Sequence, residues 1–515
     1  MPGRFHLSSE VSSAWWRFLS TFGLTQERFH RLPGWQQRLG KLAVGGVIAF
    51  LIAIFVNVLE ASFGATGSTS IFTFDSTAYL AFLVLGLIYV PEWSKVPLIG
   101  KIAIPLSALA LAITFPYWAG HMFTIPIFGE FPSTETGVVM LVFVMMAVGL
   151  NIVVGYAGLL DLGYVAFYAM GAYTAAWLAS TQFAGAKCPK PGFGIDNCPV
   201  ATVPAVDFNL GGVGITPGIG GIHVSIWLIL AAAGLLTALI GVVIGLPTLR
   251  LRGDYLAIVT LGFGEILPQI ARNGNDLGGF NLTGGPQGIT PVDSPGFGNN
   301  LSNWTGGFLP ANYLTSPNSA RVFYWTALAL VGFTVFCSIR LRDSRLGRAW
   351  IAIREDEVAA SAMGIPLMRT KTWAYACGAF FGGIAGAYFA AFKSSTFPQD
   401  FYFNISVFIL CMVILGGMGN VWGVMLGAAF LTYLNQEGLA NTGAWLNLHF
   451  GTHVDVPEYS GGIYGVIIVL VMLLRPQGLL PSARRKRELE LGTHDEYLYD
   501  VETHDESLYV EPSEA

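Results

Sequence analysis

Between Gly137 and Ala186 the chain runs for 50 residues with a single charged side chain, Asp161. A helix crosses a bilayer with ~20 apolar residues, so this run is more than twice one crossing and must turn back on itself. Hydrocarbon offers no water to pair backbone groups, so crossings are helical or form a closed barrel. Irregular backbone survives there only where protein or a wet cavity covers it. The turn is expected near Gly155-Tyr156-Ala157-Gly158 and Asp161. Two readings stay open: a tight turn at the membrane surface with Asp161 solvated, or a break beside a pathway through the protein.

The rest of the chain repeats the pattern. Further charge-free apolar segments fall at about 42–59, 77–90, 102–119, 223–246, 255–271, 322–339, 372–391, 403–415, 421–435 and 461–474. The expected fold is an all-α polytopic membrane protein with roughly 10–12 transmembrane or re-entrant helices. Threading these segments with the N-terminus inside puts 22 of the 27 Lys and Arg on the cytoplasmic side, which selects an N-in, C-in arrangement. Three Gly/Asn/Pro/Ser-rich loops near 182–222, 272–321 and 436–460 then face outward.

Four regions follow. Residues 1–41 carry six basic side chains among Trp15, Trp16, Phe18 and Phe22 and lack a signal-peptide pattern; they read as a cytoplasmic membrane-surface segment. Residues 42–136 form an N-terminal transmembrane extension. Residues 137–480 form the main membrane domain and include a charged loop at 341–371. Residues 481–515 are a charged cytoplasmic tail in which Thr493-His494-Asp495-Glu496 is echoed by Thr503-His504-Asp505-Glu506; it is expected to be solvated and disordered.

The net charge of -5 sits largely in that tail, and no basic patch points to nucleic acid. His121 and His223 have no nearby Cys, Asp or His in the sequence at ligand spacing, so no metal site is expected. Cys188 and Cys198 flank a Gly/Pro-rich loop and would pair as a disulfide if that loop is extracytoplasmic. Cys337, Cys377 and Cys411 fall in apolar spans and read as packing residues.

One long charged passage interrupts the apolar runs: SRLGRAWIAIREDEVAASAMGIP, Ser344 to Pro366. Arg354-Glu355-Asp356-Glu357 supplies a helix start that favours carboxylates, and Gly364 followed by Pro366 supplies a stop. A helix of ~8 residues is expected between them. Val358 and Ala362 share one of its faces, and Ala359 and Ala360 permit close approach. Such a helix suits a groove in another protein. A plain basic cytoplasmic loop is the simpler alternative, although the acid cluster exceeds what the positive-inside rule requires.

The acid followed by Ala359-Ala360 and Gly364 resembles the loop by which permeases of bacterial ABC importers dock on their ATPases. The chain also contains GLNIVVGYAGLLDLGYVAFYAMGAYTA (149–175), LRLRGDYLAIVTLGFGEI (249–266), NLTGGPQGI (281–289), VILGGMGNVWG (413–423) and RPQGLL (475–480). In this order the motifs resemble the LivM-type permease family of branched-chain amino acid importers. The resemblance implies a bacterial inner-membrane, multi-pass subunit embedded in lipid. Its implied partners are a LivH-like second permease, two cytoplasmic ABC ATPases and a periplasmic amino-acid binding protein. Implied ATPase-coupling residues are Arg348, Glu355, Asp356, Glu357, Ala359, Ala360 and Gly364. Candidates for the substrate pathway are Asn151, Asp161, Gly262, Gly264, Glu265, Gly416 and Gly417.

Glu265 lies well inside an apolar segment, where an acid is costly and faces a partner or a wet path, unless the segment is short and re-entrant. Gly416 and Gly417 read as a turn and packing position. No G-x-x-x-x-G-K-[ST] loop occurs, so ATP and Mg would be used by partner chains, with no cofactor and no enzymatic activity in this one. The implied substrate is leucine, isoleucine or valine, with urea or a short-chain amide as the alternative within the same permease class. A proton- or Na⁺-driven carrier would call for paired intramembrane acids or His relays, and a membrane enzyme for a nucleophile, metal set or carboxylate pair.

Overall fold

The computed structural model describes residues 109–117, 119, 132–183, 208–210, 221–249, 254–275, 281–293, 320–450, 455–474 and 478. The N-terminal segment 1–41, the segments at 42–59 and 77–90, Cys188 and Cys198, and the tail 481–515 lie outside the described residues. The chain divides into two compact units, Met1–Phe131 and Pro132–Ala515. In the first, residues 109–117 are helical.

The second unit begins with α1 (Thr134–Leu150), which continues as a π-helical turn, Asn151–Tyr156. Ser133 caps α1 by accepting from the Thr136 N–H at 3.2 Å. From 304 residues away, Glu437 accepts from the Ser133 N–H at 3.1 Å and also accepts from the Thr136 hydroxyl. A carboxylate is favourable at this positive helix end. Residues 157–164 turn the chain into α2 (Val165–Leu178). Then come α3 (Ile226–Thr248), α4 (Asp254–Asn273), α5 (Ala320–Asp343), α6 (Arg345–Glu355), α7 (Glu357–Ala362), α8 (Leu367–Lys393), α9 (Phe403–Gly416), α10 (Val421–Tyr433), α11 (Leu439–Phe450) and α12 (Ser460–Leu474).

Among the described residues, four helices are long and apolar enough to cross a membrane: α1 with its π turn, α3, α5 and α8. The protein is thus a multi-pass helical membrane protein. Helix α8 forms the centre and packs most extensively against α3 and α2. Lipid tails are as apolar as leucine, so helix association in a membrane rests on close packing and interhelical hydrogen bonds. Both occur here. Gly171 of α2 abuts Gly383 of α8, Gly386 abuts the Tyr168 main chain, and the Tyr164 hydroxyl donates to the Gly378 carbonyl at 2.9 Å. Helices α3 and α5 instead turn Leu235, Leu239, Val243, Phe333 and Phe336 outward, as lipid-facing helices do.

Helices α9 and α10 have 14 and 13 residues, about 20 Å at 1.5 Å per residue, short of a ~30 Å hydrocarbon core. They pair antiparallel across the turn at 417–420: Gly416 meets Gly423 and Val424, and Gly427 meets the Met412 carbonyl. A π-helical turn, Leu434–Gly438, carries α10 into α11. The loop expected at 436–460 is therefore partly helical. Among its buried positions, Gly438, Leu439 and Gly443, the last two lie one turn apart, a helical period that a Gly/Asn-rich composition conceals.

A small sheet joins the end of α2 to the start of α3. Strands β1 (Ala179–Ser180), β2 (Phe208–Leu210) and β3 (Ile222–Val224) run in the order β1-β3-β2. Bridges from Ser180 to Val292 and from Ile289 to Thr396 extend the lacing. Beneath it, His223 Nδ1 and Asp293 Oδ2 form a buried pair.

Candidate functional site: a charged loop on a glycine junction

The charged passage folds into two short helices. Ser344 starts α6 by accepting from the Gly347 N–H at 3.1 Å, and Gly347 fits because the Leu341 and Arg342 carbonyls occupy the space of a Cβ. Trp350, fully buried, donates through Nε1 to the Thr370 carbonyl at 2.8 Å and ties α6 to α8. Asp356 is extended and breaks the helix. Its Oδ1 accepts from the Val358 and Ala359 N–H groups at 2.8 and 2.9 Å, so it caps α7. At the other end Gly364 adopts φ 83, a conformation that favours glycine. The expected helix exists, but it begins after Asp356 and has six residues.

Within this loop Arg348, Glu355, Asp356, Ala359 and Gly364 are exposed, while Ala360 is buried. Glu357 turns inward and pairs with the buried ammonium of Lys371 at 2.8 Å. Val358 and Met363 project, 70% and 83% exposed, so α7 presents an apolar surface within a polar loop.

Arg354, at the end of α6, is the link to the interior. Its Nη1 donates to the Gly155 carbonyl in the π turn of α1, and its Cγ fills the space where Gly158 would carry a Cβ, at 2.7 Å. Gly419 lies 3.4 Å from Nη1 on the same measure. The Gly419 N–H donates to Oδ1 of Asn151 at 2.9 Å, and a Cβ on Gly155 would collide with that oxygen. Gly478 closes the stack, its Cβ position 2.6 Å from the Gly417 Cα. Thus the loop, the broken end of α1, the α9–α10 turn and Gly478 meet at close contact.

The pathway candidates divide. Asn151, Gly416 and Gly417 belong to this junction. Asp161 lies beside it but is 1% exposed rather than solvated; its Oδ1 accepts from the Gly163 N–H at 2.9 Å and its Oδ2 has no partner. Loss of water pushes its carboxyl up to about 7 against the pull of the Gly163 N–H. Glu265 is elsewhere, exposed on α4 and lining a shallow groove with Gln269 and Asn273. Gly262 has open space around it, and Gly264 packs on Leu162 and Phe403. Cys337, Cys377 and Cys411 are free thiols.

Sequence reasoning overlooked Arg354 as a contact, together with Lys371, Trp350 and Gly478. The available signal was the recurrence of glycine in three distant motifs, at 155 and 158, at 416, 417 and 419, and at 478.

Comparison with known proteins agrees with the resemblance. The family described as "Branched-chain amino acid transport system / permease component" matches residues 134–472. The high-affinity branched-chain amino acid transport system permease protein LivM of Salmonella typhimurium is 35% identical over 397 residues, 75% of this chain and 76% of the relative. LivM of Escherichia coli shows the same identity and coverage. LivH of Salmonella typhimurium, a permease protein of the same system, is 29% identical over 172 residues, 33% of this chain and 50% of the relative. No solved structure matches. The chain belongs to the branched-chain amino acid transport permease family.

Proposed function

We propose that this chain is a permease subunit of a bacterial inner-membrane ABC importer that carries branched-chain amino acids into the cytoplasm. In this reading it pairs with a LivH-like permease, docks two cytoplasmic ATPases through α6 and α7, and receives substrate from a periplasmic binding protein. ATP and Mg act in the ATPases, and this chain performs no chemistry.

The observation that carries the reading is the junction at Arg354. An ATPase gripping Val358 and Met363 would move α7 and, through Trp350 and Lys371, the start of α8. Arg354 would pass the same displacement to the ends of α1 and α9. Packed elements switch between discrete arrangements instead of stretching, so a small shift here can open one face of the pathway and close the other. The acid on α4 fits a second permease. Glu265, Gln269 and Asn273 share an exposed polar face, which suits contact with another protein better than with lipid, so α4 is assigned to the interface between the two permeases.

Uptake of radiolabelled leucine and urea in a strain lacking this gene, complemented with the wild type, tests the substrate. Restored leucine uptake supports the reading. Rescue of urea uptake alone keeps the importer and replaces its substrate.

A further inference from the structure

A cavity of about 520 Å³ lies between α1, the α8–α9 connection, the π turn at 434–438 and the start of α12. It sits at the C-terminal end of α8, whereas the charged loop joins the N-terminal end, 27 residues away along the helix. Ligand sites of small molecules are typically ~300–1,000 Å³, mostly apolar, with a few placed polar groups.

Its walls are aromatic and aliphatic. Phe408 packs against Phe143 at 5.5 Å between ring centroids and against Tyr464 at 4.8 Å. The Tyr464 hydroxyl donates to Oδ1 of Asn435 at 2.6 Å, which fixes that amide in the wall. At one side the wall carries an acid, with a lysine behind it that is not part of the lining. Asp400 lines the cavity and pairs with Lys393 at 2.6 Å, while its second oxygen accepts from the Phe397 N–H at 3.3 Å. The Lys393 ammonium lies 5.9 Å from the centroid of Phe389, itself part of the wall.

We infer that this cavity is a holding site for a free amino acid with an aliphatic side chain, between delivery and release. The side chain rests on Phe143, Phe408 and Tyr464. The ammonium is taken by Asp400, which Lys393 holds in place from outside the lining. Urea has no group for the apolar wall, and an acyl chain has none for Asp400. Two walls, α1 and α8, also lead to Arg354 and Trp350, so displacement at the loop changes the shape of the site. This inference rests on the proposed transport function and adds the place and the chemistry of binding.

The test is thiol protection in membranes holding the whole importer and its binding protein, with Asn404→Cys as a probe in the cavity wall and the native chain as the labelling blank. Leucine at ten times its half-saturating concentration should slow modification by a membrane-impermeant maleimide about tenfold. Urea and 4-methylpentanoate, which lacks the ammonium, should give no protection. Ser460→Cys, on another wall, repeats the test if the first variant does not assemble. Asp400→Asn should raise the half-saturating leucine concentration about tenfold, and Asp400→Glu should recover most of it. If wild-type leucine uptake is intact and neither thiol is protected, or both are unreactive in the assembled importer, the holding site is overturned while the transport reading stands. If wild-type leucine uptake itself is absent, the transport reading fails and this inference fails with it.

Discussion

Arg354 donates a hydrogen bond to the main-chain carbonyl of Gly155, 199 residues earlier in the chain. A charged side chain of the loop thereby completes the broken end of a membrane span. Hydrogen bonds from a charged group contribute about 1.5–3 kcal/mol, and a carbonyl stripped of its donor in a buried place costs about as much. Arg354→Ala is expected to lower leucine uptake at least about tenfold with the chain still in the membrane. Gly158→Ala, whose new methyl would press on Arg354 Cγ, should act in the same direction. Uptake normalised to the amount of importer checks both.

Close approach at the junction makes a second test. A methyl at Gly155 would meet Asn151 Oδ1 and lie 2.8 Å from the Gly419 nitrogen, whereas a methyl at Gly332 in α5 meets nothing within 4 Å. Gly155→Ala should destabilise the purified importer by about 1–3 kcal/mol, as overpacking does. Gly332→Ala should be neutral or stabilising by up to about 1 kcal/mol. Thermal unfolding in detergent separates them.

The Glu357–Lys371 pair gives a third. Lys371 is buried, and its partner is about one third exposed, so solvent screens part of the attraction. Glu357→Gln strands a buried ammonium and should cost about 1–3 kcal/mol. Adding Lys371→Met should recover much of that loss, since replacing both members of a buried pair is often neutral. A double-mutant cycle on the melting temperature measures the coupling.

Asp161 carries a pH signature. Its carboxyl holds its proton up to about pH 7 in the folded protein, and an unfolded chain releases it in the usual carboxylate range near 4. The folded state binds more protons over that window, so stability falls as pH rises from about 4 to 7. Asp161→Asn should therefore be more stable than wild type at pH 8, with the difference closing toward pH 4. Melting curves across that range decide it.

What could be read from the sequence was what is local. The helix start in the 354–357 cluster, the stop at Gly364–Pro366 and the turns near 155–158 and 416–420 depend on residues within about one turn of each other. Their chemistry is visible in a row of letters. Long-range pairings were not visible: Arg354 looks like part of an acid-rich helix start, yet it ends α6 and reaches Gly155. Asp161 reads as a polar turn residue, and only the packing of 157–164 against α4, where the Leu162 N–H meets Thr260 Oγ1 at 3.1 Å, shows it to be buried. Glu265 illustrates the same limit, because hydropathy fixes its depth along α4 and leaves its facing direction to tertiary packing.

In the proposed function α7 is the handle by which an ATPase would drive this permease. Removing Glu355, Asp356 and Glu357 together would confuse contact with folding, because Asp356 caps α7 and Glu357 anchors it. The cleaner variant is Val358→Asp with Met363→Asp, which alters only exposed apolar side chains. The deciding measurement is co-purification of the ATPase subunits with this variant, read beside leucine uptake. The variant is expected to reach the membrane with its partner permease, lose the ATPases and transport no leucine. Retained ATPases with normal uptake would contradict it.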